Sequence, residues 1–189
     1  MEAHKILAEA RGDHGKGVAR KLRAAGQVPA VAYGGGGQAT TLALDPDQLR
    51  ILRRSPLGWN QPVTIEVDGG DNSELAMLRE VQKHPLSGNV VHCDFLTVAA
   101  DKPVIVEVPF ALTGKAKGQE LGGKLRQPLR TMKVSCLPKD IPSSITIDIT
   151  ELDVGDKIML SAVDLPAGVE GAWRHDAAVV NLIRGRVKK

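Results

Sequence analysis

Apolar and polar positions alternate in short runs along this chain, and glycine or proline interrupts nearly every run. Runs of this kind read as strands bounded by turns. In the first half, Val28 to Tyr33, Thr40 to Leu44, Pro62 to Val67, Glu74 to Gln82 and Asn89 to Val98 have this texture. The third and fourth flank Asp68-Gly69-Gly70, a hairpin signal. His4 to Ala10 fits either a first strand or a short helix, and its pattern does not choose. Two segments break the period. Val18 to Ala25 consists of good helix formers and ends at Gly26, where a helix C-cap belongs. Pro46 to Arg54 follows Asp45, an N-cap residue, with proline at the favoured first position. Gly12 to Gly17 is too rich in glycine for regular structure, and Gly34 to Gly37 reads as a flexible turn. The pattern predicts a small barrel-like α+β domain.

After Thr97-Val98-Ala99-Ala100-Asp101 the texture changes. Strand-like runs follow at Val104 to Leu112, Leu129 to Cys136, Ser144 to Ile149 and Ala178 to Ile183. Gly122-Gly123, Pro128, Pro138, Pro142, Gly155, Pro166 and Gly168 punctuate them. Evenly spaced strands between turn signals point to a mostly β domain, a sandwich or a roll. The expected organisation is therefore α+β and mostly β, with domains over 1–97 and 98–189. The 189 residues suffice for two modest cores.

Composition narrows the function. Hydrophobic residues make up 42% of the chain, so folding rather than disorder is expected, but aromatics are only 3%. The cores must come from Val, Ile, Leu and Ala, and a platform of rings for stacking single-stranded bases is not available. No apolar run is long enough to cross a bilayer, and the opening MEAHKILAEARGDHG has no signal-peptide stretch, so a cytoplasmic protein is expected. Cys93 and Cys136 form no CxxC pair and read as small buried side chains in a reducing compartment. The net charge of +3 conceals an uneven distribution. Arg11, Lys16, Arg20, Lys21 and Arg23 stand against a single acid, Asp13, and the tail carries Arg184, Arg186, Lys188 and Lys189. A concentrated basic patch suits a polyanionic partner better than the total charge suggests.

The loop Gly12 to Gly17 invites a nucleotide reading that fails in detail. Lys16 is followed by Gly17 and Val18, with no hydroxyl for a magnesium ion, and GxGxxG is absent. What remains is a glycine loop running into a helix N-terminus, where free N–H groups favour an anion. Arg20 and Arg23, three apart, share a helix face, whereas Lys21 and Arg54 read as solvated. In the later segment Val91-His92-Cys93-Asp94-Phe95, His92 and Asp94 point to one side of a strand and Cys93 and Phe95 to the other. A zinc set of His84, His92 and Cys93 lacks standard spacing and faces two ways. An enzyme using His92 and Asp94 as its base lacks a nucleophile motif, GxSxG being absent, so no catalytic residue, metal or cofactor is expected. An aspartate belongs near RNA only if it accepts from a base or orients a neighbouring histidine.

The segment Gly15-Lys16-Gly17-Val18-Ala19-Arg20-Lys21-Leu22-Arg23-Ala24-Ala25-Gly26-Gln27-Val28-Pro29-Ala30-Val31-Ala32-Tyr33-Gly34, with Arg11 before it, closely resembles the opening motif of the bacterial ribosomal protein L25 family, which includes the general stress protein Ctc. Val81-Gln82-Lys83-His84-Pro85 with Val91-His92-Cys93-Asp94-Phe95 resembles that family's second signature. Gly122-Gly123-Lys124-Leu125, Val134 to Pro142 and Leu152 to Asp156 resemble its longer members. The resemblance covers nearly the whole chain. It implies an N-terminal six-stranded β-barrel with short helices, a β-rich C-terminal domain, and a structural role in the large ribosomal subunit. The implied ligand is the loop E region of 5S rRNA at the central protuberance. Carried onto matching positions, Arg11, Lys16, Arg20, Arg23, Tyr33, Arg79, Gln82, His92 and Asp94 are the implied RNA contacts. Adjacent 23S rRNA and ribosomal proteins are the implied partners of the C-terminal domain. The alternative within the family is a stress-induced RNA-binding protein that joins ribosomes conditionally. Many two-domain relatives carry a long acidic tail; the last residues here are basic and suit neighbouring rRNA or protein.

Overall fold

The computed structural model describes residues 4–13, 15–35, 38–68 and 73–184. The basic tail beyond Arg184 and the glycines of the Asp68-Gly69-Gly70 turn lie outside the described residues. The chain divides into two compact units, Met1–Lys102 and Pro103–Lys189.

Burial resolves the first segment. Ile6 and Ala8 are buried while Lys5, Leu7 and Glu9 are exposed, a period of two, and His4–Ala10 is strand β1. It is followed by β2 (Val28–Gly34), β3 (Thr40–Leu44), β4 (Val63–Val67), β5 (Ser73–Lys83) and β6 (Val90–Thr97). These six strands close into a barrel in the order β1-β3-β2-β6-β5-β4. β1 runs antiparallel to β3 and parallel to β4, while β2 runs antiparallel to β3 and parallel to β6. Closure leaves no unpaired strand edge. The interior is aliphatic, with Ile6, Leu42, Ile65 and Cys93 fully or nearly fully buried around one ring, Phe95.

Two helices attach to the barrel in different ways. α2 (Pro46–Arg54) starts where the Asp45 carboxylate accepts the Asp47 N–H at 2.8 Å. It lays Leu49 and Leu52 onto the barrel core, and each fully buried leucine contributes roughly 1.5–3 kcal/mol over leaving it exposed. α1 (Lys16–Ala24) buries no residue. It begins two residues earlier than the sequence suggests, so Lys16 and Gly17 are helical instead of loop. A glycine in the first turn gives up no intrahelical N–H bond, so its presence there does not block the helix. Gly26, at φ +84°, ends it, and the Gln27 N–H reaches back to the Leu22 carbonyl at 3.0 Å.

The second unit holds β7 (Val104–Thr113), α3 (Lys117–Glu120), β8 (Gly123–Arg126), β9 (Thr131–Cys136), β10 (Ile145–Asp148), β11 (Lys157–Met159), β12 (Val169–Gly171) and β13 (Ala178–Arg184). One sheet has the order β10-β7-β9-β12 and the other β11-β13-β8. Val108, Val134, Ile145 and Leu182 form part of its buried interior. The architecture is thus mostly β with three α-helices, a closed six-stranded barrel followed by a β-rich unit. β8, β11, β12 and α3 are additions to the sequence reading. They have three or four residues each, too few for alternation to register, and Gly122-Gly123 reads as a turn although Gly123 opens β8.

Candidate nucleic-acid interface

Strand register gathers the polar residues of β5 and β6 on one outer face. Gln82 pairs with His92, Val81 with Cys93 and Glu80 with Asp94. Farther along, Leu78 pairs with Phe95, both buried, so the pairing skips Arg79. Arg79 is therefore the extra residue of a β-bulge. The bulge shifts the alternation by one. Val81 turns to the barrel core, against which it packs, and Glu80 and Gln82 turn outward beside Asp94 and His92. On the other flank of β6, Val31 of β2 pairs with Asp94 and Tyr33 with Leu96, so Tyr33 belongs to the same outer face.

His92 and Asp94 are joined at 2.6 Å between Nδ1 and Oδ1, both half-buried. The carboxylate can only accept, so the imidazole holds its Nδ1 proton in this bond. Nε2 is left for a ligand, as an acceptor in the neutral ring. Gln82 donates its amide to Glu80 Oε1 at 3.2 Å. The strand face is thus a row of oriented donors and acceptors, two of its members being carboxylates. Glu80 was not foreseen from the sequence. The signal is present in Leu78-Arg79-Glu80-Val81, where the spacing of inward residues changes from two to three.

The cations come from α1. Lys16, Arg20 and Arg23 stand at i, i+4 and i+7 and so form one stripe on this short helix, all three exposed. α1 packs against β2, and Arg23 Nε donates to the Val91 carbonyl of β6 at 3.1 Å. That bond ties the basic stripe to the strand carrying His92 and Asp94. No side chain among the described residues caps the amino end of α1.

Arg11 has a different setting. Its backbone N–H donates to the Thr41 carbonyl at 2.9 Å, and its carbonyl accepts from Thr41 Oγ1 at 2.6 Å. Its Nη2 donates to the Ala30 carbonyl at 3.3 Å, while its Nε is buried with no partner among the described residues. Burial pushes the guanidinium below the usual arginine range, although it stays charged at neutral pH. Arg11 is therefore anchored to the barrel wall, with less of its side chain available than Lys16 or Arg20. Tyr33 is half-buried next to Gly34, whose φ is +117° and where a Cβ would lie 2.8 Å from the Thr97 carbonyl oxygen. Only glycine lets β2 end this close to β6. Cys93 faces the opposite way, into the core, and burial first and Asp94 second push its thiol up to about 12.

The structure therefore brings Arg23, Gln82, His92 and Asp94 into adjoining positions on α1, β5 and β6. It places Lys16 and Arg20 on the same helix stripe, Tyr33 farther along the outer face, and Arg79 at the bulge. Arg11 sits against β2 and β3.

Known proteins agree in both halves of the chain. Residues 6–95 match the model of the Ribosomal L25p family, and residues 103–186 match that of the Ribosomal protein TL5, C-terminal domain. A protein of Sorangium cellulosum named large ribosomal subunit protein bL25 is 42% identical over 183 residues, covering 96% of this chain and 80% of that protein. Proteins of the same name from Xylella fastidiosa and Porphyromonas gingivalis are 37% and 38% identical, covering 95% and 85% of this chain and 90% and 82% of their own. A barrel matched by one model, a β-rich unit matched by the other, and relatives alike over most of their length show that the chain belongs to the ribosomal L25p family, a family of structural proteins and not of enzymes.

Proposed function

We propose that this chain is a structural protein of the bacterial large ribosomal subunit, at work in the cytoplasm, that binds the loop E region of 5S rRNA at the central protuberance through its N-terminal barrel, over residues 1–97. The observation that carries this reading is the meeting of two unlike surfaces. A basic helical stripe, Lys16-Arg20-Arg23, lies beside a strand face of oriented donors and acceptors, Gln82, His92 and Asp94. Regular A-form RNA hides its base edges in a groove that side chains cannot enter, whereas loops and non-Watson–Crick stretches expose them. The stripe supplies phosphate contacts and most of the affinity. The strand face supplies hydrogen bonds to base edges, and the carboxylates accept from base amino or imino groups. Tyr33 and Arg79 extend the surface along the strands, and Arg11 holds its edge. The second unit is proposed to meet adjacent 23S rRNA or ribosomal proteins.

Hydroxyl-radical footprinting of 5S rRNA with the full chain tests the assignment. Protection centred on loop E is the expected result. Protection of another region, or of none at concentrations that saturate binding, would overturn it.

A further inference from the structure

A second basic feature lies outside this surface. Between α2, the start of β2 and the β5–β6 turn is an open concavity of about 500 Å³. Its walls carry Arg23, Arg50, Arg53, Lys83 and His84, and no Asp or Glu is among the residues lining it. Arg50 and Arg53, three apart on α2, project from the same side of the helix that Leu49 and Leu52 anchor to the core. Asp47 engages only Nη1 of Arg50, at 2.6 Å, and the guanidinium keeps further donors. The Lys83 ammonium sits over the ring of Trp59, 5.4 Å from its centroid, which holds a flexible cation at the groove wall. The His84 Nδ1 accepts the backbone N–H groups of Leu86 and Ser87, at 3.4 and 3.2 Å. Its ring proton is therefore on Nε2, as a donor.

We propose that this groove is a second RNA site, taking the phosphodiester backbone of a single-stranded segment without reading its bases. Four cationic side chains and a histidine donor converge there, Arg50 in part engaged by Asp47 and with no acid in the wall among the described residues, which is a setting for a chain of phosphates. Of its uncharged polar side chains, Gln27 donates its amide to Glu9 at 3.2 Å and Ser87 accepts the Asn89 N–H at 3.4 Å, so the cations are the main groups left for a ligand. Arg23 belongs to both features, so an RNA held on the strand face has a continuous cationic path into the groove. The inference rests on the chain being an RNA-binding protein, and not on which RNA its strand face reads.

The test uses the full chain and a twelve-nucleotide oligouridylate carrying 4-thiouridine, with labelled 5S rRNA titrated in parallel. Crosslinks are expected in the segments holding Arg50 to Trp59 and Lys83 to Asn89. The double variant R50Q/R53Q is expected to lower the salt slope by about 1.4 log units, at roughly 0.7 per phosphate contact, and the affinity about 25-fold at 0.1 M relative to 1 M salt. Lys83→Gln, a single exposed substitution, serves as a second variant, with about half that effect on the slope. Thermal melting verifies that each variant folds. Oligouridylate binding that both variants leave unchanged, or crosslinks confined to α1 and the middle of β6, would sink the proposal. Loss of 5S selectivity with groove crosslinks intact would instead count against the strand-face reading alone.

Discussion

Asp94 is a counterintuitive residue for a surface proposed to meet RNA, since phosphates repel it, and its geometry supplies a reason for it to belong there. Bonded to His92 at 2.6 Å, it orients the imidazole and keeps its second oxygen for a base donor. Arg20 does the opposite work, an exposed point of positive charge with no direction in the base code. The two substitutions should therefore separate affinity from selectivity. Arg20→Ala is expected to weaken binding to 5S rRNA and to an unrelated RNA alike, and to reduce the salt slope by about 0.7–0.9. Asp94→Ala is expected to remove roughly 1–3 kcal/mol of preference for 5S rRNA, a factor of about 5 to 150, with little change in slope. Competition titrations with both variants measure this, and an equal loss on both RNAs for both variants contradicts the division. At this scale the placement of the candidate residues was partly legible. His92 and Asp94 share a face because a strand has a period of two. Glu80 escaped because its orientation depends on a bulge, which no strict alternation anticipates.

The elements were legible in proportion to their length and the clarity of their ends. β3 and α2 lie where their patterns put them, since Thr40–Leu44 is a short apolar run opened by two threonines and Asp45-Pro46 marks a helix start by its chemistry. His4–Ala10 remained open because a seven-residue segment can satisfy either period, and only the packing of Ile6 and Ala8 into a closed barrel decides. β8, β11 and β12 owe their existence to neighbours: each pairs with a longer strand, β13 or β9. The bulge in β5 is what lets the strand carry Arg79 without turning Glu80 and Gln82 inward. Deleting Arg79 removes the extra residue and leaves a continuous ladder in which Glu80 still faces Asp94, Val81 Cys93 and Gln82 His92. The deletion is therefore expected to fold with the same inward and outward residues, as followed by circular dichroism and thermal melting. Arg79→Ala keeps the residue count and is expected to melt close to the parent. A deletion that abolishes folding while the substitution melts close to the parent would contradict Arg79 as the skipped residue of this ladder.

For the whole molecule, a net charge of +3 says little about its ligand, because the useful charge is local. α1 carries a stripe of three cations without burying a residue, so its helical form depends on its end at Gly26 and on the Arg23 bond to β6 rather than on a core of its own. The barrel, closed and aliphatic, supplies the rigidity that such a lightly attached helix lacks. In the proposed function, affinity is assigned to an edge of the first unit and selectivity to its strand face, both acting on one RNA. The most direct test titrates the full chain into labelled 5S rRNA at several salt concentrations, with and without excess tRNA. Tight binding that resists tRNA, with log affinity falling by about 2 or more per tenfold salt as three phosphate contacts require, is the predicted result. Displacement by tRNA in proportion to its concentration, or binding that salt leaves unchanged, would contradict the assignment of this surface to 5S rRNA.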